Sequence, residues 1–185
     1  MKQSSAGFTL IELLITISII SILLGYALPS FSDLLEKKKV DANVQRLTQT
    51  LQLSRIKAIN ENIKVTLCPI NQNLVCSSDW STGYMSFIDK DGDRQYGGQD
   101  ELLLEFYSQD EKAQLSWRAF GHRRSLQWLE TGITNHQNGS FELCYDGDEK
   151  KSRALFLTKA GRIRFSKDTN GDGIHENSKG SPISC

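Results

Sequence analysis

The chain has no net charge, since 22 lysines and arginines are matched by 22 aspartates and glutamates. Global electrostatics therefore predicts no polyanion partner. There is no internal repeat and no low-complexity linker, which excludes solenoids and tethered strings of domains. There is also no nucleophile elbow, no phosphate-cradling glycine loop, and no histidine paired with cysteine or serine at a recognisable spacing. Nothing in the chain points to an enzyme or a cofactor. The three histidines are scattered at 122, 136 and 175, and neither pair of the four cysteines has CxxC spacing. Zinc is left without a ligand set. No recognition helix or base-reading motif is apparent, so any nucleic-acid contact would go to the phosphate backbone.

What is present is a long apolar run. From Phe8 to Leu28 the only charged side chain is Glu12. As a helix this stretch covers roughly 30 Å, enough to span a hydrocarbon core. A carboxylate buried there costs about 3 kcal/mol or more, so it needs a partner. A secretory signal peptide is one reading, with Lys2 as the only charge ahead of Phe8. Against it, Ala27-Leu28-Pro29 offers no small-x-small cleavage site, and an acid inside the apolar region is unusual. A simple membrane anchor leaves Glu12 unexplained.

The run Gly7-Phe8-Thr9-Leu10-Ile11-Glu12 resembles the class III leader of type IV pilins and type II secretion pseudopilins. The resemblance implies that a prepilin peptidase cuts after Gly7 and methylates the new N-terminus at Phe8. Glu12 is then the fifth residue of the mature chain, and its carboxylate pairs with a cationic amine as other pilins or pseudopilins pack into a helical fibre. Pro29 falls where pilin helices commonly carry a proline, which predicts a kink. The implied division is a leader at 1–7, a transmembrane and assembly half of the helix at 8–28, an amphipathic half at 29–62, and a β-rich globular domain at 63–185. The implied location is the inner membrane, single-pass with the C-terminal domain in the periplasm, and then a surface pilus or a periplasmic pseudopilus.

Past Pro29, Val40, Val44, Leu47, Leu51, Ser54 and Ala58 recur at steps of four and three. This predicts an amphipathic helix with one narrow buried stripe, while Gln45, Arg46, Gln49, Gln52 and Arg55 fill its other faces. Lys37-Lys38-Lys39 reads as a solvated helix face, with anionic lipid or nucleic acid as alternatives. Beyond Ile63 the pattern changes to short alternating runs. Strands are predicted at Ile63 to Leu67, Tyr84 to Ile88, Glu101 to Tyr107, Gln114 to Phe120, Ser140 to Tyr145 and Arg153 to Thr158. The fold class is α+β, type IV pilin-like, with a long N-terminal helix on an antiparallel β-sheet domain.

Four cysteines downstream of an export signal favour disulfides, and three connectivities are open. The pairing adopted is Cys68–Cys76, closing a polar loop, with Cys144–Cys185 tying the tail to a strand. Trp80-Ser81-Thr82-Gly83-Tyr84-Met85-Ser86-Phe87-Ile88-Asp89 resembles the W-x-x-G-W-x-V-F-x-D strand of the GspH/FimT branch of minor pilins and pseudopilins. Here Tyr84 and Ser86 replace the usual tryptophan and valine. Trp80, Tyr84, Met85 and Phe87 read as sheet core; Trp117 and Trp128 fit either core or fibre contacts.

Charge is unevenly distributed: eleven lysines and arginines lie between Lys112 and Lys167 against five acids. Within this block Gly161-Arg162-Ile163-Arg164 predicts a tight turn and then alternation, with both guanidiniums on one face and Ile163 and Phe165 on the other. Lys159 and Lys167 lie close in sequence, and such a set could grip successive phosphates. A charged edge strand is the simpler reading. The segment resembles the G-R-x-R motif of FimT-type minor pilins, which implies DNA binding in natural transformation through Gly161, Arg162 and Arg164. Asp168-Thr169-Asn170-Gly171-Asp172-Gly173 matches the first half of a calcium loop through Asp168, Asn170 and Asp172. Position twelve, however, is Lys179, and a polar turn is the preferred reading there and at Asp89-Lys90-Asp91-Gly92-Asp93.

Overall fold

The computed structural model describes Gly7, residues 9–122 and residues 124–185, without the side chains of Pro29 and His122. Phe8, the leader residues before Gly7, and Arg123 of the basic block lie outside the described residues. Two compact units divide at Lys38/Lys39. In the first, helix α1 (Leu10–Glu61) begins on a capping box. Thr9 Oγ1 accepts from the Glu12 amide and Glu12 Oε2 accepts from the Thr9 amide, both at 3.4 Å, which satisfies two otherwise unpaired helix-start donors. From Leu10 to Leu28 the large apolar side chains are at least half exposed, and the helix is long and apolar enough here to cross a membrane. It continues through position 29 without interruption. Lys37 pairs with Asp33 one turn earlier.

In the second unit the α1 stripe is buried as its period requires: Val40, Leu51 and Ala58 have no exposed surface, and Ser54 has 1%. Ser54 is polar yet fits, because its hydroxyl meets that of Ser86 at 2.6 Å. Eight strands follow: β1 (Val65–Pro69), β2 (Gly83–Ile88), β3 (Glu101–Tyr107), β4 (Ala113–Ala119), β5 (Leu126–Trp128), β6 (Gly139–Tyr145), β7 (Asp148–Leu157) and β8 (Ile163–Phe165). They form two antiparallel four-stranded sheets, in the orders β3-β2-β1-β5 and β4-β6-β7-β8. The α1 stripe, Leu67 and Trp128 of the first sheet, and Phe141 and Leu155 of the second share one core. Trp128 is fully buried in this core, and Trp117, half-buried, packs against it by stacking on Phe141 with ring centroids 4.2 Å apart.

The second face of the first sheet is covered too. Cys68, Ile70, Met85 and Phe87 are buried there against Tyr96 and Leu102. Each part of the tryptophan-glycine strand motif has a packing cause. Trp80 Nε1 donates to Arg124 O at 3.1 Å; a Cβ on Gly83 would collide with the Phe106 carbonyl. The carboxylate of Asp89, 1% exposed, accepts from Thr66 (2.6 Å), Gln127 (2.7 Å) and the Gly92 amide (2.7 Å). A buried carboxylate with this many donors is stabilised in place.

Three strands differ from the sequence reading by two residues or more, the first being β1, which runs Val65–Pro69 instead of Ile63 to Leu67. β7 starts at Asp148, five residues early, because Asp146 and Gly147 both take positive φ (54° and 69°) and turn β6 directly into it. Such a primed two-residue turn matches the twist of paired strands. β5 has only three residues, all buried, and Gln127 disguises it.

Disulfides join Cys68 to Cys76 and Cys144 to Cys185. The first closes the loop between β1 and the Ile70–Cys76 bridge. Converting Cys68 and Cys76 to serine is expected to lower stability by about 2.5 kcal/mol through the freed chain entropy of a short loop, measured by urea unfolding in detergent.

Candidate nucleic-acid interface

β7 and β8 form a hairpin with Leu157 opposite Ile163 and Phe156 opposite Arg164. In the turn, the Gly161 amide donates to Thr158 O at 2.8 Å, the Thr158 amide to Arg162 O at 3.0 Å, and the Arg162 amide to Thr158 Oγ1 at 3.1 Å. Alternation does the rest. Leu155 and Leu157 face the core, and Ile163 and Phe165 are their register partners. Arg162 and Arg164 therefore share the opposite, outer face. Both are exposed, as are Lys159 in the turn and Lys167 beyond the strand. Lys167 follows the buried Ser166 and lies outside β8.

Among the described residues, none of these four cations lies within salt-bridge distance of a carboxylate, whereas Lys112 is paired with Asp146, Arg118 with Glu142 and Arg153 with Asp41. The rest of the basic block is largely neutralised locally; the hairpin is not. Lys39, from the lysine triplet, approaches Asp110 at 3.8 Å.

Gly161 does not belong to the exposed set. It is buried at φ +77°, and a Cβ there would lie 2.8 Å from Arg55 Cζ, Gly132 O and Trp128 Cζ3. Its part is to let the turn lie against the helix, and the arginines after it are what a ligand would touch. The residue beneath it was read from sequence as a solvent-facing helix position. Arg55 is half-buried, and its guanidinium donates to three carbonyls: Nε to Gly132 O at 2.8 Å, Nη1 to Gly161 O at 3.0 Å and Nη2 to Ala160 O at 3.0 Å. Arg55 thus fastens both the β5–β6 loop and the arginine hairpin to α1. No local sequence signal marks it, because its partners are 77, 105 and 106 residues away.

The acidic loop after β8 is organised by its own backbone. Asp168 accepts from the amides of Gly171 (2.7 Å) and Gly173 (2.8 Å), and these bonds, Gly173 first, hold its carboxyl below the usual range. Asn170 Oδ1 accepts from the Asp172 amide at 3.0 Å. A carboxylate oxygen of Asp172 and one of Glu176 lie near Asp168, and Glu176 is already bonded to the Thr169 amide at 2.9 Å. Nearby, burial holds His175 below its ordinary value, and its Nδ1 meets Ser166 Oγ at 3.0 Å. The loop's own amides thus hold the oxygens of Asp168, Asn170 and Glu176 in place.

A membrane-suited N-terminal helix followed by antiparallel sheets with a helix-packed core is the architecture of a pilin-like subunit. The sequence pattern described as type II transport protein GspH matches residues 43–161, and the chain belongs to that family. The prokaryotic N-terminal methylation motif matches residues 2–28. The chain is 29% identical over 103 residues to the pilin-like protein PilA1 of Thermus thermophilus; the aligned part is 56% of this chain and spans only 60% of that relative's length. In fold it is similar to the type IV minor pilin FimU of Pseudomonas aeruginosa, with TM-score 0.58, 18% identity, and 81% of this chain and 97% of that one covered. It is also similar to the minor pseudopilin EpsH of the Vibrio cholerae type 2 secretion system, with TM-score 0.51, 13% identity, and 68% and 94% covered. The chain is thus a GspH-family protein that carries the methylation motif, and its likeness to FimU and EpsH is one of fold. The family match ends at Gly161, so Arg162 and Arg164 lie beyond it.

Proposed function

We propose that this chain is a minor type IV pilin that captures DNA through the β7–β8 hairpin after cleavage at Gly7, methylation at Phe8 and passage from the inner membrane into the fibre. The observation that carries the reading is the pair Arg162 and Arg164, exposed on one face and free of carboxylate partners among the described residues. Residues two apart on a strand are roughly 6.6 Å apart, so the two guanidiniums can engage separate phosphates. Lys159 and Lys167 add charge at either end of the segment. Such contacts are sequence-independent and salt-sensitive. Glu12 serves assembly: within the chain its carboxylate caps the helix, and in a fibre it is available to a neighbour's N-terminal amine.

The test is a mobility-shift titration of the full-length protein in detergent at two salt concentrations. Arg162→Gln with Arg164→Gln is expected to weaken binding and flatten the log–log salt slope by about two, with the melting temperature unchanged. Unchanged binding would remove the reading. A second reading, a GspH-type pseudopilin of a type II secretion system, is favoured by the family description itself. It expects no DNA binding by the unmodified protein, as does a minor pilin that only primes assembly.

A further inference from the structure

Phenylalanine is an unexpected residue on the open face of a charged sheet, and the arginine face carries two. Phe156 lies between Leu155 and Leu157, which are 1% and 3% exposed, so it points outward, half-buried, with Arg164 as its register partner on one side and Ser140 on the other. Phe120 opens the short 3-10 turn Phe120–His122 in which β4 ends, and its amide still donates to Asn138 O at 3.0 Å, one step past the Ala119–Gly139 pair. With its amide still directed at β6, Phe120 sits two residues past the outer-face Arg118 at the hairpin end of the sheet, and it is 76% exposed. Further along the sheet, the outer face is closed over. Ala154 and Glu142 are buried, and the Cys144–Cys185 bond holds the tail there. The hairpin end, with Phe120, Phe156, Arg162 and Arg164, is left uncovered.

Resting on the DNA-binding reading above, we infer that this end of the second sheet is a platform for single-stranded DNA, with Phe156 and Phe120 stacking on bases while Arg162 and Arg164 hold phosphates. Arginines alone would serve duplex and single strand alike. A duplex, however, presents only phosphates and groove edges, because its base faces are already stacked on one another. An aromatic ring beside the phosphate contacts gains from a strand whose bases are free to turn onto it. The platform spans strands β4 to β8, on the order of 14 Å at three strand spacings, which suits an extended strand laid across the sheet. Base stacking on an aromatic ring is tolerant of sequence, in keeping with the lack of any base-reading group.

Full-length protein in detergent micelles, titrated into a fluorescently labelled oligonucleotide and separately into its duplex at one salt concentration, tests this. The expected result is single-strand affinity about tenfold or more above duplex affinity, reduced about tenfold by Phe120→Ala with Phe156→Thr while duplex binding stays within about twofold. Equal affinity of the unmodified protein for both forms, or a variant that keeps its single-strand preference, overturns the platform and leaves the arginine contacts standing. If the unmodified protein binds neither form, the DNA reading falls as a whole. Should the double variant fail to fold, Phe120→Ala alone, at an exposed site, decides between the same outcomes.

Discussion

A Gly161→Val variant is expected to melt roughly 10–15 °C below the unmodified protein, by thermal circular dichroism in detergent. Two costs combine. At φ +77° an L side chain is strained, and a β-branched one most of all, by about 2 kcal/mol. A side chain there also has nowhere to go: even the first carbon meets the Arg55 guanidinium, the Gly132 carbonyl and the Trp128 ring at 2.8 Å each. Two of those three are a backbone oxygen and a fully buried ring, so relief requires the hairpin to lift from α1, and forcing atoms into packed space costs about 2 kcal/mol more. If the glycine served only as a flexible ligand contact, substitution would cut DNA binding and leave the melt unchanged. The burial of Gly161 predicts the reverse order of effects, with stability lost first and binding lost as a consequence.

The helix stripe was legible because a period of 3.6 is imposed by geometry alone; Ser54 fitted it despite its polarity because Ser86 supplied the partner. The long strands were legible for the same reason. β5 was not, since three residues hold no period, and the first half of β7 was not, since Asp148-Glu149-Lys150-Lys151 is charged and paired by its turn instead of by apolar burial. The first sheet hid its topology in another way. With both faces covered, its strands bury polar Thr66 and Ser86 as fully as their apolar neighbours, so alternation is weak. The capping box from Thr9 to Glu12 was readable from spacing alone, but the cost of the charge drew attention away from its local partner. At the candidate interface, strand alternation put both arginines on one face from sequence. The two phenylalanines beside them could be placed only once the β4-β6-β7-β8 register was known.

Arg55→Ala should be nearly as damaging as the glycine change, with a loss of about 4 kcal/mol in urea unfolding. Two of its three bonds are partly buried, and charge-assisted bonds of this kind contribute roughly 1.5–3 kcal/mol each when removal leaves the acceptors without donors. The guanidinium also lies 5.8 Å from the centroid of the Trp128 ring, adding a packing loss. Arg55→Lys separates charge from geometry. An ammonium restores the charge but cannot reach three carbonyls in one plane, so only a minor part of the stability should return. Full rescue by lysine would mean that charge near the turn, and not the fork of the guanidinium, is what holds it. The functional consequence differs from that of Arg162→Gln with Arg164→Gln. Those changes remove phosphate contacts from an intact hairpin and flatten the salt slope; Arg55→Ala leaves both contacts in the chain but frees the turn that aligns them. Its DNA affinity should fall while the salt slope stays near that of the unmodified protein, because the number of phosphates neutralised in the bound state is the same and the loss is the cost of re-ordering the hairpin.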